Sequence, residues 1–210
     1  MRQLMRTISL HIQQNFILYL IILFVFLTGI MAGAFTISTI SIDQKSGLGN
    51  YLEHFVSNIS QSPINRTAIF WESIWQNFYI CFLFWLSSLS FLLIPLTLVL
   101  VGIRGFFIGF TVGFLVGYYN LKGFIFSLLC LIPQMIIYIP CFIIMGVLAF
   151  ESQISHLKRR KLMRKKMQPI KDSESYTKKL IIIFSLFFIV TLFETFITPL
   201  FFSMFSNFLN

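Results

Sequence analysis

The sequence predicts an all-α, polytopic integral membrane protein with about five transmembrane helices, its N-terminus inside and its C-terminus outside. Three observations carry this prediction. First, 57% of the 210 residues are hydrophobic and only 11% are charged, against about 25% charged in an ordinary globular domain. The mean hydropathy is +0.86, and so few polar groups could not cover a core of that size in water. Second, the apolar residues form runs as long as the roughly 20 residues that a bilayer-crossing helix needs. Third, the net charge of +9 is concentrated: ten of the sixteen basic residues lie in the stretch 151–179. Such a block next to apolar runs is a topology signal, not a nucleic-acid surface.

The first span covers residues 16–40 and carries no charge. Arg2 and Arg6 precede it, and Ala32-Gly33-Ala34 resembles a cleavage site. However, the uncharged run continues past those alanines and exceeds the roughly 7–15 apolar residues of a signal peptide, so it reads as a span. An outer loop, 41–72, follows. Its segment 48–60, LGNYLEHFVSNIS, sets Leu48, Tyr51, Leu52, Phe55, Val56 and Ile59 at helical spacing. This predicts an amphipathic helix on the outer interface, stopped by Ser62-Pro63. Trp71 and Trp75 mark the next membrane boundary.

The second span covers 73–103, without charge and longer than the bilayer requires. The third, 105–121, is short and flanked closely by Arg104 and Lys122; the fourth covers 123–150. A re-entrant hairpin over 105–150 is an open alternative to these two spans. The basic loop 151–179 comes next, and a fifth span, 180–203, contains Glu194. The whole chain, 1–210, reads as one membrane domain. With the N-terminus inside, thirteen basic residues face the cytoplasm and three, Lys45, Arg66 and Lys122, face outward. That asymmetry sets the orientation.

Within GFFIGFTVGFLVG, glycines recur at Gly105, Gly109, Gly113 and Gly117. Each would cost roughly 1 kcal/mol in a water-soluble helix. In lipid, helices associate through close backbone approach, which small residues permit. Gly29 and Gly33 form a shorter face of the same kind in the first span. These faces predict helix packing within the chain or docking of a partner's membrane helix. Glu194 is the one acid inside a span and requires a partner, a proton or a cavity. Counting helical rise, Glu194 lies about 14 Å and Gln134 about 16 Å from the outer ends of their spans, so Gln134 is the expected hydrogen-bond partner. Arg104 is expected at an inner helix end, too far away to serve.

Lys158, Arg159, Arg160, Lys161, Arg164, Lys165 and Lys166 are expected to contact anionic lipid, each worth about 1 kcal/mol near the surface. Cys81, Cys130 and Cys141 lie in apolar runs with no metal-ligand spacing. The three histidines are scattered, and no hydrolase, metalloprotease or phosphate-loop motif is present. The sequence therefore predicts no enzyme, no cofactor or metal, no nucleic acid and no small-molecule substrate. Pro95, Pro133, Pro140 and Pro199 fall in spans. Together with Glu194 they support one alternative, a transporter or permease-like subunit.

The run GFTVGFLVGYYNLKGFIFSLLCLIPQMIIYIPCFIIMG (109–146) resembles the stage II sporulation protein M family of endospore-forming bacteria. LTGIMAG (27–33), IPL (94–96) and FETFITPL (193–200) match in the same order. The resemblance implies a membrane scaffold in the mother-cell membrane at the sporulation septum. In that family the protein recruits the peptidoglycan hydrolases stage II sporulation proteins D and P during engulfment of the forespore.

Overall fold

The computed structural model of the chain describes residues 12–61, 66–163, 191, 192 and 195. Among these residues the regular structure is helical, with no strand. Helix α1 is Phe16–Thr39, α2 is Ile42–Gln61 and α3 is Arg66–Ser88, followed by a 3-10 turn at Phe91–Leu93. The helical run Ile94–Met163 is two helices, because Asn120 has the non-helical dihedrals φ 52°, ψ −129°. We label them α4 (94–119) and α5 (121–163). Among the described residues, three stretches are long and apolar enough to cross a membrane: Phe16–Thr39, Phe91–Ile125 and Met135–Leu157.

Local sequence explains the boundaries. Ile40 leaves α1 in an extended conformation, and α2 opens with a reciprocal cap. The Gln44 N–H donates to Ser41 Oγ at 3.4 Å, while the Ser41 N–H donates to Gln44 Oε1 at 3.3 Å. This pairing satisfies donors that a helix start leaves open, and it begins α2 at Ile42 instead of Leu48. Gly49 lets α2 rest on α4, since a Cβ there would strike the Tyr118 ring.

The run 73–103, expected as one span, is divided. Helix α3 ends at Ser88, Ser90 caps the 3-10 turn by accepting the Leu92 N–H, and α4 starts at Ile94. Pro95 sits in the first turn of α4, where its missing N–H costs nothing. The expected short span 105–121 is therefore a helix beginning at 94, about 39 Å long at 1.5 Å per residue. Arg104 lies well inside it, not at its end. The chain then reverses at Asn120, and α5 runs to Met163. A Cβ on Gly123 would fall on the carbonyl of Leu115, which shows how closely the reversal folds back.

The neighbours set the helix directions. Thr97 meets Gln153, Val101 meets Gly146 and Arg104 meets Tyr138, so α4 and α5 are antiparallel. By contrast, Gly105 meets Phe26, Gly109 meets Ile30, Gly113 meets Ala34 and Gly117 meets Ile37, so α1 and α4 run parallel. The core joins α1, α3, α4 and α5 through Ile22, Phe26, Phe84, Val101, Phe142 and Met145. Phe84 and Phe142 meet edge to face at 5.2 Å. Outside, Phe16, Leu20, Phe24, Leu27, Met31 and Phe35 of α1 are exposed, as is an aromatic ladder on α3 of Trp75, Phe78, Phe82 and Trp85. Surfaces of this kind suit lipid contact.

The two glycine faces close on each other. A methyl on Gly29 would land on the Gly102 carbonyl oxygen, and one on Gly33 on that of Phe106. Reciprocally, Gly105 lies under the Phe26 carbonyl and Gly109 under that of Ile30. The contact loosens toward Asn120: a Cβ on Gly113 would stand 3.2 Å from Ala34 Cα, and one on Gly117 3.3 Å from an Ile37 methyl. Gly102 itself has room, with its nearest neighbour at 3.7 Å.

Gly33→Ala and Gly109→Ala should each destabilise the detergent-purified chain by about 1–3 kcal/mol, the cost of overpacking. Gly102→Ala should leave it unchanged or gain up to about 1 kcal/mol of helix propensity. Thermal melting of the three variants side by side reads this order. Asn120→Gly should hold or raise the melting temperature, because glycine tolerates positive φ. Asn120→Val should lower it, by a strain on the order of 1–3 kcal/mol.

Candidate functional site

Two polar features stand out in an otherwise apolar bundle. One is a hydrogen-bonded clasp where α3 ends. A helix end leaves four carbonyls without intrahelical partners. Here each is covered. Ser88 Oγ donates to the Trp85 carbonyl at 2.6 Å, and the Leu89 N–H donates to that of Leu86 at 3.3 Å. The other two partners come from α5: Gln153 Nε2 donates to the Ser87 carbonyl at 2.7 Å and Ser152 Oγ to that of Ser88 at 3.4 Å. Gln153 also donates to Thr97 Oγ1 at 2.7 Å, Thr97 passes a bond to Ser87 Oγ at 3.1 Å, and Ser87 closes on the Phe84 carbonyl at 2.8 Å. Gln153, Ser87 and Thr97 are fully buried. The clasp thus rivets α3, α4 and α5 together at the end of the bundle that leads into the basic stretch.

The second feature is a groove of about 460 Å³ between α3 and α4, lined by Gln76, Tyr79, Leu83, Ile103 and Arg104, together with Phe142 of α5. Arg104 lies about 15 Å along α4 from its start. Its guanidinium carbon stands 5.6 Å from the centre of the Tyr138 ring, a cation–π contact. Nearby, buried Asn77 donates through Nδ2 to buried Thr191 Oγ1 at 3.1 Å. This bond ties the carboxyl-terminal segment to α3.

Of the residues singled out from the sequence, Gly29, Gly33, Gly105 and Gly109 are brought together at the α1–α4 contact, while Gly117 is exposed. Glu194, the side chain of Gln134 and the basic side chains Lys158 to Lys166 lie outside the described residues. Among the described residues, no three His, Cys, Asp or Glu side chains gather as a metal site. Sequence reasoning missed the clasp and the groove. The serines at 87, 88 and 90 ahead of Pro95 were the available signal for a helix end in need of partners.

Gln153→Met should lower stability by about 1–3 kcal/mol, because it leaves the Ser87 carbonyl and Thr97 without a donor. Ser152→Ala, which removes only the longest of these bonds, should cost less. Thermal unfolding of the purified variants measures both.

No curated protein and no solved structure matches the chain. The family model described as "Stage II sporulation protein M" matches residues 22–199. That range takes in the glycine contact, the clasp, the groove and the Asn120 reversal, and the chain belongs to the stage II sporulation protein M family.

Proposed function

We propose that the protein is a non-enzymatic membrane scaffold that recruits peptidoglycan hydrolases, the stage II sporulation proteins D and P, to the sporulation septum during engulfment. The observation that carries this reading is the family match over 22–199. Family membership makes it a sporulation-related membrane protein; the scaffold role, the partners and the mother-cell septum belong to the proposal.

We read the chain as crossing five times, with its N-terminus inside. The arrangement of helix ends supports this. Ile22 of α1 meets Gly146, and Gln153 meets Ser87 and Thr97. The start of α1, the 89–93 turn and the approach to the basic stretch therefore share one end. The end of α1, α2 and the Asn120 reversal share the other. The positive-inside rule assigns the first end to the cytoplasm. On that orientation, Lys158 to Lys166 meet anionic lipid and α2 lies on the side where wall enzymes work. The inner glycines are occupied by the α1–α4 contact, so a partner would engage α2 and the outer helix ends instead.

Deleting the gene in its native host and following membrane-dye microscopy through starvation tests the proposal. The expected result is a septum that stays flat or bulges while both hydrolases lose their septal focus. Normal engulfment with both hydrolases still at the septum would overturn it. Stabilisation of the purified protein by a solute or ion would favour the transporter alternative.

A further inference from the structure

We propose that Cys81, Cys141 and Met145 form a three-sulfur site for a soft monovalent metal ion, copper(I), which staples α3 to α5. The first argument is geometric. Cys81 of α3 donates its S–H to Met145 Sδ of α5 at 3.7 Å. Two sulfurs bound to one metal at about 2.3 Å each, as zinc–thiolate bonds measure, stand that far apart at an S–metal–S angle of about 107°. The spacing therefore suits shared coordination. Cys141 precedes Met145 by four residues on α5, which puts both on one helix face. Cys141 is also near enough to Cys81 for a charge on one sulfur to be felt at the other. Two helices thus bring the three sulfurs together.

The second argument is the chemistry of the surroundings. All three side chains are buried in the bundle core, Met145 completely. Among the described residues, no His, Asp or Glu is buried, so the site offers thiol and thioether ligands without imidazole or carboxylate. Such a set selects copper(I) over zinc, calcium or magnesium. Charge points the same way, because an apolar core disfavours a net charge. Copper(I) brings one positive charge as one thiol releases one proton, and the site stays neutral. A divalent ion would require both thiols to ionise, and zinc would still lack a fourth ligand.

A way in adjoins the sulfurs. Phe84, three residues beyond Cys81, and Phe142, next to Cys141, line the α3–α4 groove, and neither cysteine is completely closed off. Cys81 lies about 10 Å along α3 from its end at Ser88. The metal would therefore fasten α3 to α5 within the helices, as the Gln153 clasp does at the helix end. This staple does not rest on the scaffold reading, since it concerns how α3 is held and not what the bundle recruits.

Titration of the purified full chain with copper(I), under reducing conditions and against a coloured competing chelator, tests the site. One equivalent should bind. Cys81→Ala, Cys141→Ala and Met145→Leu should each weaken binding by about tenfold or more, while Cys130→Ala should leave it unchanged. Equal binding by the parent and Cys81→Ala chains, or loss of binding in Cys130→Ala, would overturn the proposal. X-ray absorption of the copper-loaded parent gives a reading that no variant's misfolding can confound. Three sulfur ligands at about 2.3 Å are expected, and nitrogen or oxygen ligands in their place would overturn the site. Reconstitution into lipid vesicles separates a staple from a transported ion. The loaded chain should carry no copper across the bilayer, and copper uptake would overturn the staple in favour of the transporter alternative.

Discussion

The bundle depends on the backbone contact between α1 and α4. In lipid no hydrophobic drive pushes helices together, so adhesion must come from close packing and weak Cα–H···O contacts. Gly29, Gly33, Gly105 and Gly109 provide this by letting each helix receive the other's carbonyls. The remaining helices join by side chains. Helix α5 lays Gly146 against Ile22 and Val101, and α3 joins α5 through Phe84–Phe142 and Cys81–Met145. Where α3 faces α4 the contact is less intimate, and the groove containing Arg104 opens there. Tight and loose contacts therefore lie on different sides of α4, and the difference follows from where its glycines fall.

The helix ends obey a second constraint. A carbonyl at the end of α3 has little water to turn to inside a packed bundle, so another helix must supply the donors. Gln153 and Ser152 do so from α5. At the opposite end, the reversal at Asn120 needs a residue that accepts positive φ, and asparagine is among the few besides glycine that do. The two turns are thus solved differently, one by side-chain donors from α5 and one by backbone conformation.

Much of this was legible in the sequence, and the gaps have physical causes. Apolar runs and glycine spacing predicted membrane helices and close packing faces. They did not show that the two faces meet each other in parallel, because spacing describes a face and not its partner. The division of 73–103 was misjudged because Ser87, Ser88 and Ser90 are too small and too weakly polar to interrupt a hydropathy run. Pro95 falls inside the expected span 73–103, although it stands in the first turn of α4. That one misplaced boundary moves Arg104 from the interior of a helix to a helix end, and so hides the groove. Gln153 escaped notice because it was counted with the basic stretch, while its bonds reach residues more than fifty positions earlier.

The parallel pairing of α1 with α4 bears on how the chain is made. Phe26 and Gly105 touch across 79 residues of sequence, so α1 enters the bilayer long before its counterpart exists. At about 5–20 residues per second, the ribosome needs roughly 4–16 s to supply it. During that interval the Gly29–Gly33 face is open to any helix that diffuses past. Insertion factors that hold early helices at the translocon would protect it, and the short connections at 89–93 and Asn120 shorten the wait for the helices that follow.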